Sequence, residues 1–117
     1  LRTGQERKDV PFGTHVSCTI EMLDINRRYN VAVIDEIQMI GDPNRGHSWT
    51  RALLGLQADE IHICGSLEAE DVIRKVLKDT EDELEIQTYE RMSALRILDE
   101  PLGSYENVRP GDCVVAF

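Results

Sequence analysis

The chain has 117 residues, of which 41% are hydrophobic and 5% aromatic, and its formal net charge at pH 7 is −9. This length suits a single domain with a mainly aliphatic core. The acidic balance weighs against a stand-alone nucleic-acid-binding module, which would carry a basic surface. No apolar stretch approaches the ~20 residues of a membrane-spanning helix, so no membrane partner is expected.

The first half of the chain predicts a loop, two strands and a helix. Residues 1–14 contain two glycines, a proline and five charges, which is typical of a loop. Residues 16–22 have the β-branched composition of a strand. Residues 31–34 are all apolar and suit a strand buried on both faces of a parallel sheet. Four apolar residues spaced as one helix face predict a helix over residues 48–56: Trp49, Ala52, Leu53 and Leu56.

The second half predicts two further strands and one further helix. Residues 58–65 return to strand composition, and residues 84–89 alternate between apolar and polar side chains like a strand. Ser66 is placed to cap a helix over residues 68–78, whose first turn is acidic, as the helix dipole favours. The inner face of that helix is predicted to consist of Val72, Ile73, Val76 and Leu77.

This order of elements predicts an α/β fold in which one parallel sheet of four strands is flanked by helices. Residues 99–111 contain two prolines and two glycines and resemble a linker, and residues 112–117 would open a strand of the next unit. Because the chain starts at Leu1 and stops inside that apolar run, we expect an internal piece of a longer protein. Such a sheet would lack some of its strands and leave an edge or a face open.

The three cysteines, Cys18, Cys64 and Cys113, each lie in an apolar run. Their spacing matches no zinc or iron–sulfur pattern, and an odd number gives no disulfide framework. We therefore expect three buried, reduced thiols in an intracellular protein. The three histidines are equally scattered, so a metal site built from side chains alone is not expected.

Asp35 and Glu36 directly follow the apolar strand at residues 31–34. Ligands of open α/β sheets bind beyond the carboxyl ends of the strands, so this acid pair would lie where a nucleotide-bound metal ion belongs. In P-loop ATPases an acid at this place serves Mg²⁺, usually through water. A neighbouring carboxylate can accept a proton from the water that attacks the γ-phosphate. A strand that ends in a solvated acidic turn fits Asp35 and Glu36 equally well.

Residues 41–48 imitate a phosphate-binding loop, since they lie between a strand and a helix and have the G-x-x-x-x-G spacing. The lysine that should precede Ser48 is replaced by His47, which is mostly neutral at pH 7 and too short to reach the phosphates. Asp42 would also repel a phosphate. We therefore interpret Pro43 and Gly46 as residues that shape a turn. The chain has no other Gly-Lys pair, so any phosphate-binding loop must lie before Leu1.

With these segments in order, the chain resembles superfamily-two helicases, and among them the mitochondrial degradosome RNA helicases of the suppressor-of-Var type. Each motif alone is short, but their order and spacing together are specific. The motifs are Thr3-Gly4-Gln5-Glu6, Cys18-Thr19-Ile20-Glu21-Met22, Asp35-Glu36-Ile37-Gln38-Met39, residues 45–56, His62-Ile63-Cys64-Gly65 and Arg109-Pro110-Gly111-Asp112-Cys113.

The resemblance implies a role for each motif. Asp35 and Glu36 would bind ATP and Mg²⁺, with Asp35 holding the metal through water and Glu36 activating the attacking water. Gln38, which stands where most DExH-box members have histidine, would complete the catalytic set and relay to Cys64 and Gly65. The residues implied to lie along the RNA backbone are Thr3, Gly4, Gln5, Thr19, Glu21 and Met22. Trp49 is instead expected to belong to the core.

The resemblance also implies the place of the chain in a larger machine. Residues 1–98 would be the C-terminal part of the first RecA-like P-loop NTPase lobe, residues 99–111 the interlobe linker, and residues 112–117 the first strand of the second lobe. The parent would be a mitochondrial ATP-dependent RNA helicase of RNA degradation, with RNA and an exoribonuclease as partners. This piece alone, without the phosphate-binding loop, is expected to be inactive. The alternatives are a non-catalytic RecA-like binding module and, disfavoured by the lack of a phosphoacceptor arrangement, a response-regulator-like fold.

Overall fold

The computed structural model describes residues 1–6, 8, 10–90 and 92–115. The chain divides into two units, residues 1–84 and residues 85–117. The first unit contains strand β1 (Arg28–Ile34), helix α1 (Gly46–Gly55), strand β2 (Gln57–Ile63) and helix α2 (Glu70–Leu77). It also has short 3₁₀ turns at Ile20–Met22, Ile37–Gly41 and Leu67–Ala69, while the second unit has one at Tyr105–Asn107.

Strands β1 and β2 pair in parallel, with Ala32 opposite Ile61 and Ile34 opposite Ile63. Parallel neighbours need a crossover connection, and α1 provides it. The predicted β-α-β unit is thus confirmed. The predicted strand at residues 31–34 is longer than expected, because polar residues from Arg28 onward also pair with β2.

The core lies between the sheet and the two helices. All four residues of the predicted helix face are buried there, which confirms both the helix and the assignment of Trp49 to the core. The indole Nε1 of Trp49 donates a hydrogen bond to the carbonyl oxygen of Asp35 at 3.0 Å, so the buried ring has its polar atom satisfied. The buried core residues are Ile34, Ile37, Trp49, Ala52, Leu53, Leu56, Ala69 and Ile73.

The other face of the sheet is open. Val31 and Val33 are 56% and 67% exposed, and their neighbours on β2 are Glu60 and His62. The expectation of burial on both faces is therefore wrong for this strand, because no described element of the unit at residues 1–84 covers this side. The expected open face is present instead.

The predicted four-stranded sheet is also wrong, since the described residues form a sheet of two strands. Residues 16–22 contribute only an isolated parallel bridge between Arg2 and Cys18 and then a 3₁₀ turn. Residues 84–89 and 112–115 are not in strands, and residues 116–117 lie outside the described part. A strand needs a hydrogen-bonding neighbour, and composition or alternation alone does not supply one.

The segment that imitates a phosphate-binding loop is a turn that starts α1. An Asp42 side-chain oxygen accepts hydrogen bonds from the backbone N–H groups of Asn44 and Arg45, each at 2.8 Å. These backbone bonds lower the pKa of Asp42. A Cβ on Gly46 would collide with the carbonyl of Ile40, so only glycine fits there. These contacts confirm the interpretation as a turn.

Ser66 forms a cap, as the sequence predicts, but it caps the 3₁₀ turn at Leu67–Ala69 that leads into α2 rather than α2 itself. The Ser66 hydroxyl accepts a hydrogen bond from the N–H of Glu68 at 3.3 Å. Ile73 is buried and Val76 and Leu77 are partly buried, as expected, whereas Val72 is 38% exposed and lies outside the core. No helix in the described ranges is long and apolar enough to span a membrane.

The cysteines differ from the expectation of three buried thiols. All three are free, but Cys18 is only half-buried, and Cys64 and Cys113 are exposed. Cys64 lies just beyond the end of β2, where the chain leaves the sheet, and residues 112–115 form no strand that would bury Cys113. Partial burial raises the pKa of the Cys18 thiol.

Candidate functional site

The acid pair, Asp35 and Glu36, lies immediately beyond the carboxyl end of β1, and both residues are exposed. Glu36 has φ 54° and ψ 44°, a left-handed conformation that costs free energy in any residue with a Cβ. Among the described non-glycine residues, only Phe12 and Glu36 have positive φ. The Glu36 N–H donates to an Asp35 side-chain oxygen at 2.9 Å, which fixes the two acids relative to each other.

Gln38 connects the acid pair to the end of β2. Its side-chain amide donates a hydrogen bond to the Glu36 carboxylate, and its carbonyl oxygen accepts one from the Ser66 N–H at 3.1 Å. The backbone joins the same two strand ends, because Ile37 N–H donates to the Cys64 carbonyl at 2.9 Å. The structure thus brings Gln38 beside the turn at residues 64–66.

Gly65 leaves no room for a side chain at this junction. A Cβ there would meet the Gln38 side-chain oxygen and would lie 2.9 Å from both the backbone nitrogen and the Cγ2 of Ile37. Glycine therefore permits the close approach of the two strand ends. Five predicted residues meet here: Asp35, Glu36, Gln38, Cys64 and Gly65.

The acid pair could serve a hard cation only with help from other ligands. Among the described residues, no group of three or more His, Cys, Asp or Glu side chains is placed to hold a metal ion. Mg²⁺ commonly uses one or two carboxylates and takes its remaining ligands from water and substrate phosphates. An exposed aspartate at a strand end suits that role.

The remaining predicted residues lie in two polar segments, residues 3–5 and residues 19–22, which the chain places side by side. The Arg2 N–H donates to the Ser17 carbonyl at 2.8 Å, and the Thr19 N–H donates to the Arg2 carbonyl at 3.0 Å. The Thr3 hydroxyl accepts from the N–H groups of Gln5 and Glu6, at 3.3 and 2.9 Å, and closes a tight turn.

The residues predicted to contact RNA in the two polar segments differ in how accessible they are to a ligand. Gly4 has open space where a Cβ would lie, so a backbone can approach it closely. Met22 is 43% exposed. The Glu21 carboxylate is engaged by Arg45, whose Nη2 lies 2.7 Å from Glu21 Oε1. This hydrogen bond from Arg45 is the main reason that the pKa of Glu21 is lowered.

Sequence reasoning missed three residues that organise these sites. Arg45 pairs with Glu21, Ser66 binds Gln38, and Arg51 donates from Nη2 to the Leu23 carbonyl at 3.2 Å. Arg45 precedes Trp49 by four residues, a spacing that puts both on one side of a helix start, so its position carried a usable signal. Ser66 was identified only as a helix cap.

The comparisons with known proteins agree with the motifs. Residues 1–89 match the family described as the DEXQ-box helicase domain of Suv3. The chain is 57% identical over 118 residues to the mitochondrial ATP-dependent RNA helicase SUV3L of Oryza sativa subsp. japonica, covering 100% of this chain and 16% of that protein.

Two further relatives show the same pattern. The mitochondrial ATP-dependent RNA helicase DExH18 of Arabidopsis thaliana is 57% identical over 118 residues, with 100% of this chain and 15% of that protein covered. The mitochondrial ATP-dependent RNA helicase SUPV3L1 of Homo sapiens is 51% identical over 121 residues, again with coverages of 100% and 15%. The chain thus spans about one-sixth of the length of these relatives.

Proposed function

Because the chain belongs to the family of DEXQ-box helicase domains of Suv3, we propose that it is part of a mitochondrial ATP-dependent RNA helicase. Relatives that match the whole chain carry that name in plants and animals. The activity belongs to the longer protein, since the chain spans about one-sixth of those relatives and contains no phosphate-binding Gly-Lys pair. An exoribonuclease partner remains a prediction of the resemblance.

The proposed place of the chain is the C-terminal part of the first RecA-like lobe, over residues 1–98, followed by the linker and the opening of the second lobe. The parallel β1-α1-β2 unit supports this placement, because RecA-like lobes are built from such units and bind ligands at strand carboxyl ends. The structural division after residue 84 falls before the proposed linker at residues 99–111.

In the proposed mechanism, Asp35 would hold Mg²⁺ through water, and Glu36 would orient and deprotonate the water that attacks the γ-phosphate. The metal would supply positive charge to neutralise the phosphate oxygens. The amide nitrogen of Gln38 donates to the Glu36 carboxylate and holds it in place. The amide oxygen of Gln38 accepts a hydrogen bond from the Ser66 N–H in the turn at residues 64–66. The side chain is thus placed to report the state of the nucleotide to the end of β2.

The backbone of Glu36 is the observation that carries this proposal. A solvated acidic turn has no need of a left-handed glutamate, and such conformations persist where the surrounding structure enforces them, often at functional sites. Here the enforcing contacts are the bond from Gln38 and the backbone bond between Ile37 and Cys64.

For RNA, we propose that the polar segments at residues 3–5 and 19–22 lie along the sugar–phosphate backbone. Hydroxyls and backbone N–H groups are among the donors that bind phosphates, and such contacts carry no direct sequence information. The open backbone at Gly4 lets a phosphate approach closely. The Thr3 N–H and hydroxyl donate to the Glu6 carbonyl and the Thr19 N–H to the Arg2 carbonyl, so both threonines would exchange these bonds for bonds to RNA. The acidic Glu21 would serve through Arg45 rather than by touching a phosphate.

Substitution of Glu36 by glutamine in the full-length protein tests the assignment. We expect ATP binding to persist and the hydrolysis rate to fall by about 10²–10⁴-fold, the usual contribution of a positioned base. The matched control is Glu83→Gln, which removes the charge of an exposed glutamate outside the site. A near-normal turnover rate in Glu36→Gln would remove Glu36 from the catalytic set, whereas a wild-type protein that does not hydrolyse ATP would favour a non-catalytic RecA-like binding module.

A further inference from the structure

Arg45 lies between the second polar segment and the buried face of α1. Its Nη2 is 2.7 Å from Glu21 Oε1, and its guanidinium carbon is 5.4 Å from the centre of the Trp49 ring. An arginine stacked on an aromatic face and paired with a carboxylate is fixed in direction by both partners. The Arg45 side chain therefore connects Glu21 to Trp49 through direct contacts.

Trp49 in turn connects Arg45 to the acid pair of the proposed nucleotide site. Its indole N–H donates to the Asp35 carbonyl at 3.0 Å, and its ring is only 6% exposed. A close-packed ring cannot shift without its neighbours, so a displacement of Trp49 would be felt at the end of β1. A continuous series of contacts, which we call the tether, thus runs through Glu21, Arg45, Trp49 and Asp35.

Helix α1 also contacts the residues that directly follow the second polar segment. Arg51 Nη2 donates to the Leu23 carbonyl at 3.2 Å, about 1.7 helical turns after Arg45. Near the end of the helix, the side chain of Ile25 packs against Gly55, where a Cβ would lie 3.4 Å from it. Helix α1 therefore contacts the stretch from residue 21 to residue 25 along its length.

We propose that Arg45 is a positioning residue that couples RNA binding at residues 19–22 to the nucleotide site at Asp35 and Glu36. This inference rests on the proposed function. RNA that draws the 3₁₀ turn at Ile20–Met22 toward its backbone shifts Glu21, and the tether passes that shift to the strand end that carries the acid pair.

A merely stabilising role explains the tether poorly. The side chains of Arg45 and Glu21 are 56% and 45% exposed, and ion pairs so accessible to water contribute little to stability. The pair is also the link with the greatest sequence separation in the tether, 24 residues, so it joins two segments that the backbone does not join directly.

The test measures an equilibrium coupling factor in the full-length protein. The dissociation constant of a fluorescent single-stranded RNA oligonucleotide is determined with and without Mg²⁺ and a non-hydrolysable ATP analogue, and the ratio is the coupling factor. We compare Glu21→Gln, Arg45→Met and the double variant. The control is Arg28→Met, which breaks an exposed ion pair of the same 2.7 Å length with Asp59 at the other end of β1.

If the tether operates, each single variant lowers the coupling factor by about fivefold or more, the lower end of typical coupling between two sites. The double variant is no worse than the single ones, because the same link is already broken. Arg28→Met keeps the wild-type factor. Thermal midpoints of all variants are recorded, and a loss of coupling at an unchanged midpoint separates positioning from general destabilisation.

Three outcomes overturn the inference. Variants that couple like the wild type show that the tether transmits nothing, while the proposed function stands. If Arg45→Met weakens RNA binding equally in both nucleotide states and lowers its salt dependence, while Glu21→Gln strengthens binding, Arg45 contacts a phosphate directly. A wild-type protein that binds neither RNA nor the ATP analogue removes the proposed function and the inference together.

Discussion

At the scale of single residues, the left-handed backbone of Glu36 lowers the stability of the fold. A catalytic role would explain why glutamate stands there all the same. The left-handed conformation brings the side-chain Cβ close to the following carbonyl, at a cost of roughly 1–2 kcal/mol that glycine does not incur. The position should therefore be a place where stability and function conflict, since the residue best suited to the chemistry is not the one best suited to the fold.

Replacing Glu36 by glycine or by alanine isolates that cost, because both variants lose the carboxylate and its bond from Gln38. We expect Glu36→Gly to be more stable than Glu36→Ala by about 1 kcal/mol in the free energy of unfolding, since only alanine pays for the left-handed backbone. Denaturant titration of the two variants gives the difference.

Glu83 provides the matched control, because it is exposed and has no positive φ. There the order should reverse, with glycine less stable than alanine by roughly 0.4–1 kcal/mol through the entropy of the unfolded chain. An alanine at position 36 that equals or exceeds glycine would show that Glu36 does not hold this conformation in solution.

The residue pattern could locate the acid pair, and the resemblance linked Gln38 to Cys64 and Gly65, but neither could show the contacts that join them. An apolar strand followed by two acids was enough to place Asp35 and Glu36 at a strand end. The bond from Gln38 to the Ser66 N–H joins residues 28 positions apart and exists only once β2 lies beside β1. Nothing in a local pattern shows which backbone group an amide will reach, so the bridging geometry had to come from the structure.

At the scale of elements, the turn before α1 depends on one glycine. The Gly46 N–H donates to the Asp42 carbonyl at 2.9 Å, and its α-carbon faces the carbonyls of Ile40 and Met39 with no space for a methyl group. The same turn contains Arg45 and leads directly into the helix that carries Trp49. A distortion here should therefore affect the core and the tether together.

We expect Gly46→Ala to lower the free energy of unfolding by about 1–3 kcal/mol, the usual cost of forcing an extra methyl group into a packed site. The control is Gly41→Ala in the same connection, where a Cβ would have nothing within 4 Å. Thermal and denaturant unfolding of both variants measure the two changes in the free energy of unfolding. Equal stability of the two would mean that the turn can open to accept a side chain without loss.

The sequence correctly predicted those elements that pair with or pack against another element of the described chain. Helix α1 was recognisable from its spacing, β1 from its apolar run and β2 from its strand composition, and the two strands pair with each other. Residues 84–89 have the same kind of alternation but form no strand. A hydrophobic pattern states which side chains prefer burial, whereas a strand also requires a neighbour for its backbone, and the pattern carries no information on that.

At the scale of the whole molecule, the sheet has one covered face and one open face. The covered face holds Ile34 against the helices, while the open face presents Val31 and Val33 beside a row of polar partners on β2. Because alternate residues of a strand point to the same side, the two valines form a small continuous apolar surface. Such a surface on a sheet with exposed edges favours association with another molecule.

We therefore expect the isolated 117-residue chain to self-associate through this face, and the double substitution Val31→Thr, Val33→Thr to shift it toward monomer. Threonine keeps the β-branched shape that suits a strand and replaces one methyl group by a hydroxyl, so the pairing with β2 should survive. Sedimentation velocity over a range of concentrations measures the change.

The control is Leu54→Gln on α1, since Leu54 is 53% exposed but lies outside the sheet. Association that persists in the threonine variant, or that disappears equally in the control, would mean that general surface hydrophobicity rather than the open face joins the molecules.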